Sequence, residues 1–435
     1  MGTGPKLVER RYLLPFILIT SLFALWGFAN DITNPMVAAF QTVMELSAAK
    51  ASLIQFAFYG GYATMAVPAA LFIRKYSYKS GILLGLALYA VGAFLFIPAA
   101  SQQSFTFFCF SLYILTFGLA FLETTANPFI LSLGAKENST RRLNLAQSFN
   151  PMGSLMGMAV ASFVVLPSLM SDTHRDATGK LIFDQLPEAV KATERVADLA
   201  VIRNAYVTLG AVVLIVLVVI ALTKMPKTTV KDPSLKARDT LKRLWHNETY
   251  REGVLAQVFY VGAQIMVWTF IIQYADNLGI DKATAQKYNI LAMMGFLAFR
   301  FVSTFLMKFV NSRKLLAIFG VCAGLCTVGA IVLVGTAGLC CLVAISMFMS
   351  LMFPTIYGIS LENVSSQDST LAAAFLVMAI VGGSILPPLQ GTIIDRGVIL
   401  GHPAVNVSFI LPLVCFVMVT IFALRAFSRT KRGNA

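Results

Sequence analysis

Charge is what this chain has least of. Asp, Glu, Lys and Arg make up 12% of its 435 residues, while 57% are hydrophobic and the mean hydropathy is +0.77. A soluble domain carries about 25% charged residues, so this composition excludes an ordinary globular protein. Histidine is almost missing: the three, His174, His246 and His402, fall in loops or at the edge of an apolar run, which leaves no histidine proton relay within a span. The six cysteines (109, 322, 326, 340, 341 and 415) all lie in apolar runs, without the spacing or His partners of a zinc site. They read as small packing residues. No GxxxxGK[ST] loop and no HExxH occurs, so neither an ATP-driven pump nor a zinc hydrolase of those types is expected. Neither a metal nor a cofactor is expected. The first apolar run is too long for a leader's hydrophobic core and lacks a small-residue cleavage site, so no cleaved signal is expected.

What the chain has instead is length in its apolar runs. Crossing a ~30 Å hydrocarbon core takes about 20 residues of helix. Twelve runs qualify, at 12–40, 51–73, 80–99, 104–133, 143–168, 199–223, 253–276, 284–309, 314–336, 338–361, 370–394 and 403–427. The formal charge of +14 is concentrated between them, at Lys6 to Arg11, Arg74 to Lys79, Lys136 to Arg142, Lys224 to Arg251, Lys308 to Lys314 and Arg425 to Arg432. Once the runs are counted as helices, these segments fall on one side. That is the positive-inside pattern rather than a nucleic-acid-binding face. It places both termini in the cytoplasm, in a bacterial inner membrane, with the lipid bilayer as the chain's surroundings.

Two polar segments interrupt the series. Residues 169–198 have mixed charge and fall outside; residues 224–252 are Lys/Arg-rich, fall in the cytoplasm and divide the runs six and six. The halves repeat one another weakly. Asn127-Pro128-Phe129 in run four has Phe353-Pro354-Thr355 as its counterpart in run ten. Gly153-Ser154-Leu155-Met156-Gly157 in run five matches Gly383-Ser384-Ile385-Leu386-Pro387 in run eleven, and Trp26 matches Trp268. The expected fold is an all-α polytopic membrane protein of twelve transmembrane helices in two pseudo-symmetric six-helix bundles. The bundles are 1–223 and 253–435, with 224–252 as a cytoplasmic linker.

Few ionisable groups remain inside the runs: Asp31, Glu123, Arg203 and Arg300. Arg203 is close enough to an outer helix end to snorkel. Arg300, about 13 Å from the inner end at 1.5 Å per residue, either snorkels inward or pairs with a polar group. Glu123 is different, because a charge at that depth costs roughly 2.5–3.5 kcal/mol and persists where it faces protein or a water-filled path. A carboxyl group held away from water and exposed by turns can exchange a proton, which proton coupling requires.

Asn30, Asp31 and Asn34 share a helical face, as do Glu123, Thr124 and Asn127; Asn144, Gln147 and Asn150 extend the polar surface on run five. Such amides and carboxylates suit the hydroxyls of a sugar, and Trp26, Phe28 or Phe149 its C–H face. The other half offers Gln264, Trp268, Gln273, Asn289, Tyr357 and Gln390, without a central carboxylate. Two readings stay open for Asn127 and Gln147, as substrate ligands or as interhelical glue. Asp31 is either functional or the marker of an outer helix end. With no nucleotide motif, energy comes from an ion gradient, or the flux is passive.

Several stretches carry a family likeness: Leu53 to Tyr62 (Leu-Ile-Gln-Phe-Ala-Phe-Tyr-Gly-Gly-Tyr), Tyr76 to Gly81, Leu122 to Phe129, Arg142 to Asn150 and Ala256 to Trp268. In these, from about Phe16 to Phe427, the chain resembles the fucose:proton symporter branch of the major facilitator superfamily, among the fucose, glucose and galactose transporters. The resemblance implies the major facilitator fold and proton-coupled uptake of a neutral monosaccharide, L-fucose first, by a chain that works as a monomer rather than as an enzyme. Glucose, galactose or N-acetylglucosamine, sodium coupling, or a non-transporting sugar sensor are the alternatives. It implies that Glu123 takes part in sugar recognition and proton coupling and that Asn150 lies in the sugar pocket. The family pattern in the first helix sets an amide first and the coupling aspartate three residues later. Here the order is reversed, Asp31 and then Asn34. The expected proton-coupling residues are Glu123 and Asp31. The expected sugar ligands are Glu123, Asn34, Asn127, Gln147, Asn150, Trp26, Gln264, Trp268 and Tyr357.

Overall fold

The computed structural model describes all residues except 1–6, 47–52, 175–181, 227–236, 281, 334, 395, 400 and 434–435, and leaves out some further side chains, those of Asn34 and Gln273 among them. The first half contains α1 (Leu13–Val43), α2 (Leu53–Lys75), α3 (Tyr78–Phe94), α4 (Phe96–Ser101), α5 (Phe105–Ser132), α6 (Ser139–Gln147), α7 (Phe149–Val160) and α8 (Glu188–Leu222). A short helix, α9 (Ala237–His246), precedes the second half. There follow α10 (Glu248–Asn277), α11 (Lys282–Leu306), α12 (Ser312–Val332), α13 (Thr336–Met349), α14 (Met352–Leu361), α15 (Ser369–Met378), α16 (Gly382–Ile394), α17 (Ala404–Ser408) and α18 (Ile410–Gly433). Among the described residues, twelve helical stretches are long and apolar enough to cross a membrane, in the order expected.

Among the described residues five of the twelve runs are broken, and four breaks share one cause. Pro98, Pro151, Pro354 and Pro412 each occupy the third position of the downstream helix, α4, α7, α14 and α18. A helix has no use for the first four N–H groups of its own chain, so proline there loses no bond while its ring blocks continuation from upstream. The fifth break is the 3-10 turn Ala379–Val381, just before Gly382-Gly383. One feature was not anticipated. Val398–Ile399 (β1) and His402–Pro403 (β2) pair antiparallel, turned by Gly397 and Gly401 at φ +72° and +81°.

The described chain divides into two compact units. One comprises Ile17–Ala126 and Phe149–Lys227; the other comprises Met1–Phe16, Asn127–Ser148 and Thr228–Ala435. The boundaries depart from a simple cut at 224–252, because Asn127–Ser148 packs with the second half of the chain.

In the first unit, glycines set the closest approach. A Cβ on Gly153 would strike the carbonyl of Ala24, one on Gly157 the carbonyl of Phe28, and one on Gly27 the carbonyl of Asn150. The Gly153-x-x-x-Gly157 spacing on α7 thus seats α1 backbone to backbone, as small-residue stripes do in membranes. Beyond the apolar spans, Glu45 pairs with Lys191 and Arg195 at 2.9 and 2.6 Å. Asp198 accepts from the backbone N–H groups of Met170 and Ser171 at 2.7 and 3.0 Å. These bonds fix the N-terminal turns of α8, whose 35 residues span about 52 Å, well beyond the membrane core.

In the second unit an apolar core runs through Tyr260, Met266, Phe296, Phe319, Ile345 and Phe416. The segment 127–148 is held by Arg142, fully buried, whose Nε donates to the Ile130 carbonyl at 2.8 Å. Its Nη1 donates to Ala135 and Leu7, and its Nη2 to Leu131. Ile130 and Leu131 belong to the last turn of α5, whose carbonyls have no partner within the helix. One guanidinium therefore caps α5 from α6. Nearby, α6 lies on α14: Asn144 Nδ2 donates to Thr355 Oγ1 at 3.2 Å, and Thr140 lies over Gly358. Elsewhere in the unit, Arg243 of α9 forks onto Asp368 at 2.9 and 2.7 Å.

Candidate functional site

The first unit gathers two carboxylates and the groups around them. Glu123 is 3% exposed, on the α5 turn that also buries Thr124 and Thr125. Tyr62 of α2, itself buried, lies within electrostatic range of Glu123, and its hydroxyl accepts a 2.8 Å bond from Trp26 Nε1. One turn back on α2, Tyr59 lies within electrostatic range of Asp31. A single face of α2 therefore sets one tyrosine beside each carboxylate, as the i, i+3 spacing allows. The indole of Trp26 stacks on Phe23 with centroids 5.4 Å apart, so one of its faces is covered. Asn150 Nδ2 donates to the Phe23 carbonyl at 3.2 Å. That bond ties α7 to α1 at the same level.

Chemically, this is a cluster of carboxyl, phenol and indole N–H groups. It can accept and pass a proton at Glu123 and can hydrogen-bond a polyhydroxylated solute. It offers no metal-binding set: no group of three or more His, Cys, Asp or Glu that could hold a metal ion occurs among the described residues.

The second unit holds the remaining expected ligands in separate places. Asn127, fully buried on the last turns of α5, accepts from Gln147 Nε2 at 2.7 Å. This bond joins the last turns of α5 to α6. On α10, Gln264 and Trp268 are half-buried; Trp268 Nε1 donates to Ser346 Oγ at 3.2 Å and its ring meets Phe296 edge-on at 5.2 Å. Tyr357 is buried on α14, its ring parallel to Phe353 at 6.3 Å. The Asn34 side chain lies outside the described residues, so the exchanged order of Asp31 and Asn34 stands on the sequence alone. Arg300, for which snorkelling or a polar partner was expected, does not snorkel. It is 4% exposed, its guanidinium lies 4.9 Å from the Phe296 ring centroid and near Tyr260, and Nε and Nη1 have no hydrogen-bond partner among the described residues.

Tyr59 and Tyr62 are the site residues that sequence reasoning passed over. Both stand in the Leu53–Tyr62 stretch that carries the family likeness, and Tyr62 is i+3 from Tyr59, so the pairing of spacing and motif was the available signal.

Residues 17–388 match the family model described as Major Facilitator Superfamily. The chain is 58% identical over 427 residues to the L-fucose-proton symporter of Haemophilus influenzae, covering 98% of this chain and 99% of that one. It is 36% identical over 424 residues to the L-fucose-proton symporter of Escherichia coli, covering 95% and 93%. Its structure is similar to the crystal structure of a Major Facilitator Superfamily transporter, FucP, in the outward conformation, with a TM-score of 0.87 and 34% identity over 96% of this chain and 99% of that one. Twelve apolar helices, a buried carboxyl among hydrogen-bonding groups and these matches lead to one conclusion: the chain is a multi-pass membrane protein that belongs to the Major Facilitator Superfamily.

Proposed function

We propose that this protein is a symporter that carries L-fucose inward across the bacterial inner membrane together with a proton. The observation that carries the reading is identity of 58%, sustained over 98% of the chain, to a protein named for that activity. The chemistry fits it. Glu123 is a lone carboxyl in the interior of α5 with a phenol beside it, a group able to bind sugar hydroxyls and to take up a proton. Asp31, beside Tyr59, serves as the second titrating group. Asn34, Asn127, Gln147, Asn150, Trp26, Gln264, Trp268 and Tyr357 supply amide and aromatic contacts to the sugar. The halves 1–223 and 253–435, joined by 224–252, rock against each other to expose the sugar to alternate sides, in a single chain with both termini in the cytoplasm.

The test is uptake of labelled L-fucose into proteoliposomes under an imposed pH gradient, with a sodium gradient as the comparison. Accumulation is expected with the pH gradient alone and is abolished by a protonophore. Uptake that follows sodium, or no uptake at all, overturns the proposal. Asp31→Asn is expected to weaken proton-driven accumulation. If it transports normally while Asn34→Ala fails, Asp31 is a structural residue and Asn34 the functional one.

A further inference from the structure

The second unit contains a polar cavity that transport of a neutral sugar leaves unexplained. Its volume is about 440 Å³, and its walls come from two stretches: 136–141, which runs into α6, and 307–313, which runs into α12, closed by Glu362 and Thr430. Lys136, Arg141 and Arg313 face two carboxylates, Glu137 and Glu362, around it. Glu362 is already engaged, as the ion-pair partner of Arg313. Arg313 is nonetheless 7% exposed with Nε lacking a hydrogen-bond partner. The Nε of Arg141 is likewise buried without a partner, and Arg141 forms no ion pair among the described residues. Buried guanidinium N–H groups are costly to leave unmade, more so than neutral donors.

The rest of the wall matches these donors. The first turn of α12 lines the cavity through Asn311, Ser312 and Arg313, and the hydroxyls of Ser139 and Thr140 stand opposite. The Arg141 guanidinium, the Nε of Arg313, Lys136 and the hydroxyls form an oxyanion cradle with many donors, suited to the tetrahedral oxygens of a phosphate; the α12 N-terminus itself is capped, Asn311 Oδ1 accepting from the Arg313 N–H at 2.9 Å. A carboxylate would use only part of it. The space exceeds a bare phosphate and admits a small organic group as well.

We propose that this cavity binds a phosphate monoester or diester, either a free phosphorylated metabolite or the headgroup of an anionic lipid. Bound there, the phosphate bridges 136–141 to 307–313 and holds the segment 127–148 on the second half of the chain. It therefore slows transport. This last consequence rests on the alternating-access reading above; the binding itself does not.

The binding is tested on the purified full chain with glycerol 3-phosphate, which carries the shared chemistry. The thermal unfolding midpoint is followed in titrations against glycerol with sodium chloride at equal ionic strength. A saturable rise is expected in the wild type, with affinity about tenfold or more weaker in Arg141→Gln, as loss of a charge-assisted bond implies. Lys136→Gln, at an exposed position, is the second variant and is expected to weaken binding less. No saturable rise, or the same rise in Arg141→Gln, overturns the site. Bilayer nanodiscs then assign the source. If glycerol 3-phosphate acts equally in phosphatidylcholine discs with and without phosphatidylglycerol, the ligand is a free metabolite. If phosphatidylglycerol abolishes its effect in wild type and stabilises wild type but not Arg141→Gln, the ligand is a lipid. Binding without any slowing of L-fucose flux overturns the regulatory half alone.

Discussion

Glu123 and Asp368 show what two buried carboxylates do in different settings. Asp368 is fully committed: Arg243 forks onto it and the Ser365 hydroxyl donates at 2.9 Å. Burial pushes its carboxyl up, but hydrogen bonds from Arg243, Thr240 and Ser365 outweigh that and hold it below the ordinary carboxylate range. A carboxyl depressed in the folded state contributes stability above its unfolded value of about 3.9, and that contribution is lost as the pH falls through the folded value. Asp368→Asn is therefore expected to lower the thermal midpoint by an equal amount from pH 7 to about 5, the difference closing only below about pH 4. A difference that vanishes by pH 6 overturns this assignment. Glu123 lies within electrostatic range of the phenol of Tyr62. Glu123→Gln keeps the hydrogen-bonding shape and removes the exchangeable proton. It is expected to abolish pH-driven accumulation of L-fucose while sugar exchange across the membrane, measured by counterflow, continues. Gradient-driven accumulation at the wild-type level would leave Glu123 without a coupling role.

At the scale of the helix, length and hydropathy decided most of what could be read in advance. Each apolar run became a span, because a backbone in lipid must satisfy itself and a helix is the way one segment does so. The breaks at 95, 148, 350 and 409 were less legible, since prolines also sit inside continuous α2 and α5, at Pro68 and Pro128. The site was legible where a residue type is out of place, as Glu123 is. It was illegible where the type is common, as with Tyr62 among thirteen tyrosines. Helix crossings fall between these cases. The glycines at 153 and 157 were visible as a repeat between the halves, but their partners Ala24 and Phe28 are set by tertiary packing. Gly153→Val places a branched side chain against the Ala24 backbone, where no flexible end can give way. Overpacking of this kind costs about 1–3 kcal/mol, so a lower thermal midpoint and reduced yield are expected. A variant as stable as the wild type would mean that α1 and α7 are free to separate.

For the whole molecule, the segment 127–148 is the part whose attachment matters most, because it belongs to the first half in sequence and to the second in packing. If the halves rock as proposed, α6 must leave α14 in each cycle. A Cβ at Gly358 would stand 3.2 Å from the Thr140 Cβ, near the 3.5–4.5 Å that a disulfide spans. Thr140→Cys with Gly358→Cys is expected to stop L-fucose uptake under oxidation and to restore it on reduction, with oxidised wild type unaffected. Undiminished uptake with the cross-link formed would show that this joint never opens. Its chemistry has a further consequence. Residues 352–361 contain no charged side chain, and the Asn144–Thr355 bond is neutral at both ends. Such a bond contributes about 0.5–1.5 kcal/mol, whereas breaking a buried ion pair costs about 3–5. The difference corresponds to roughly one to three powers of ten in rate, at about 1.4 kcal/mol for each. If the halves rock as proposed, the joint between α6 and α14 is in this sense a clock rather than a lock: its weakness sets how soon it can open.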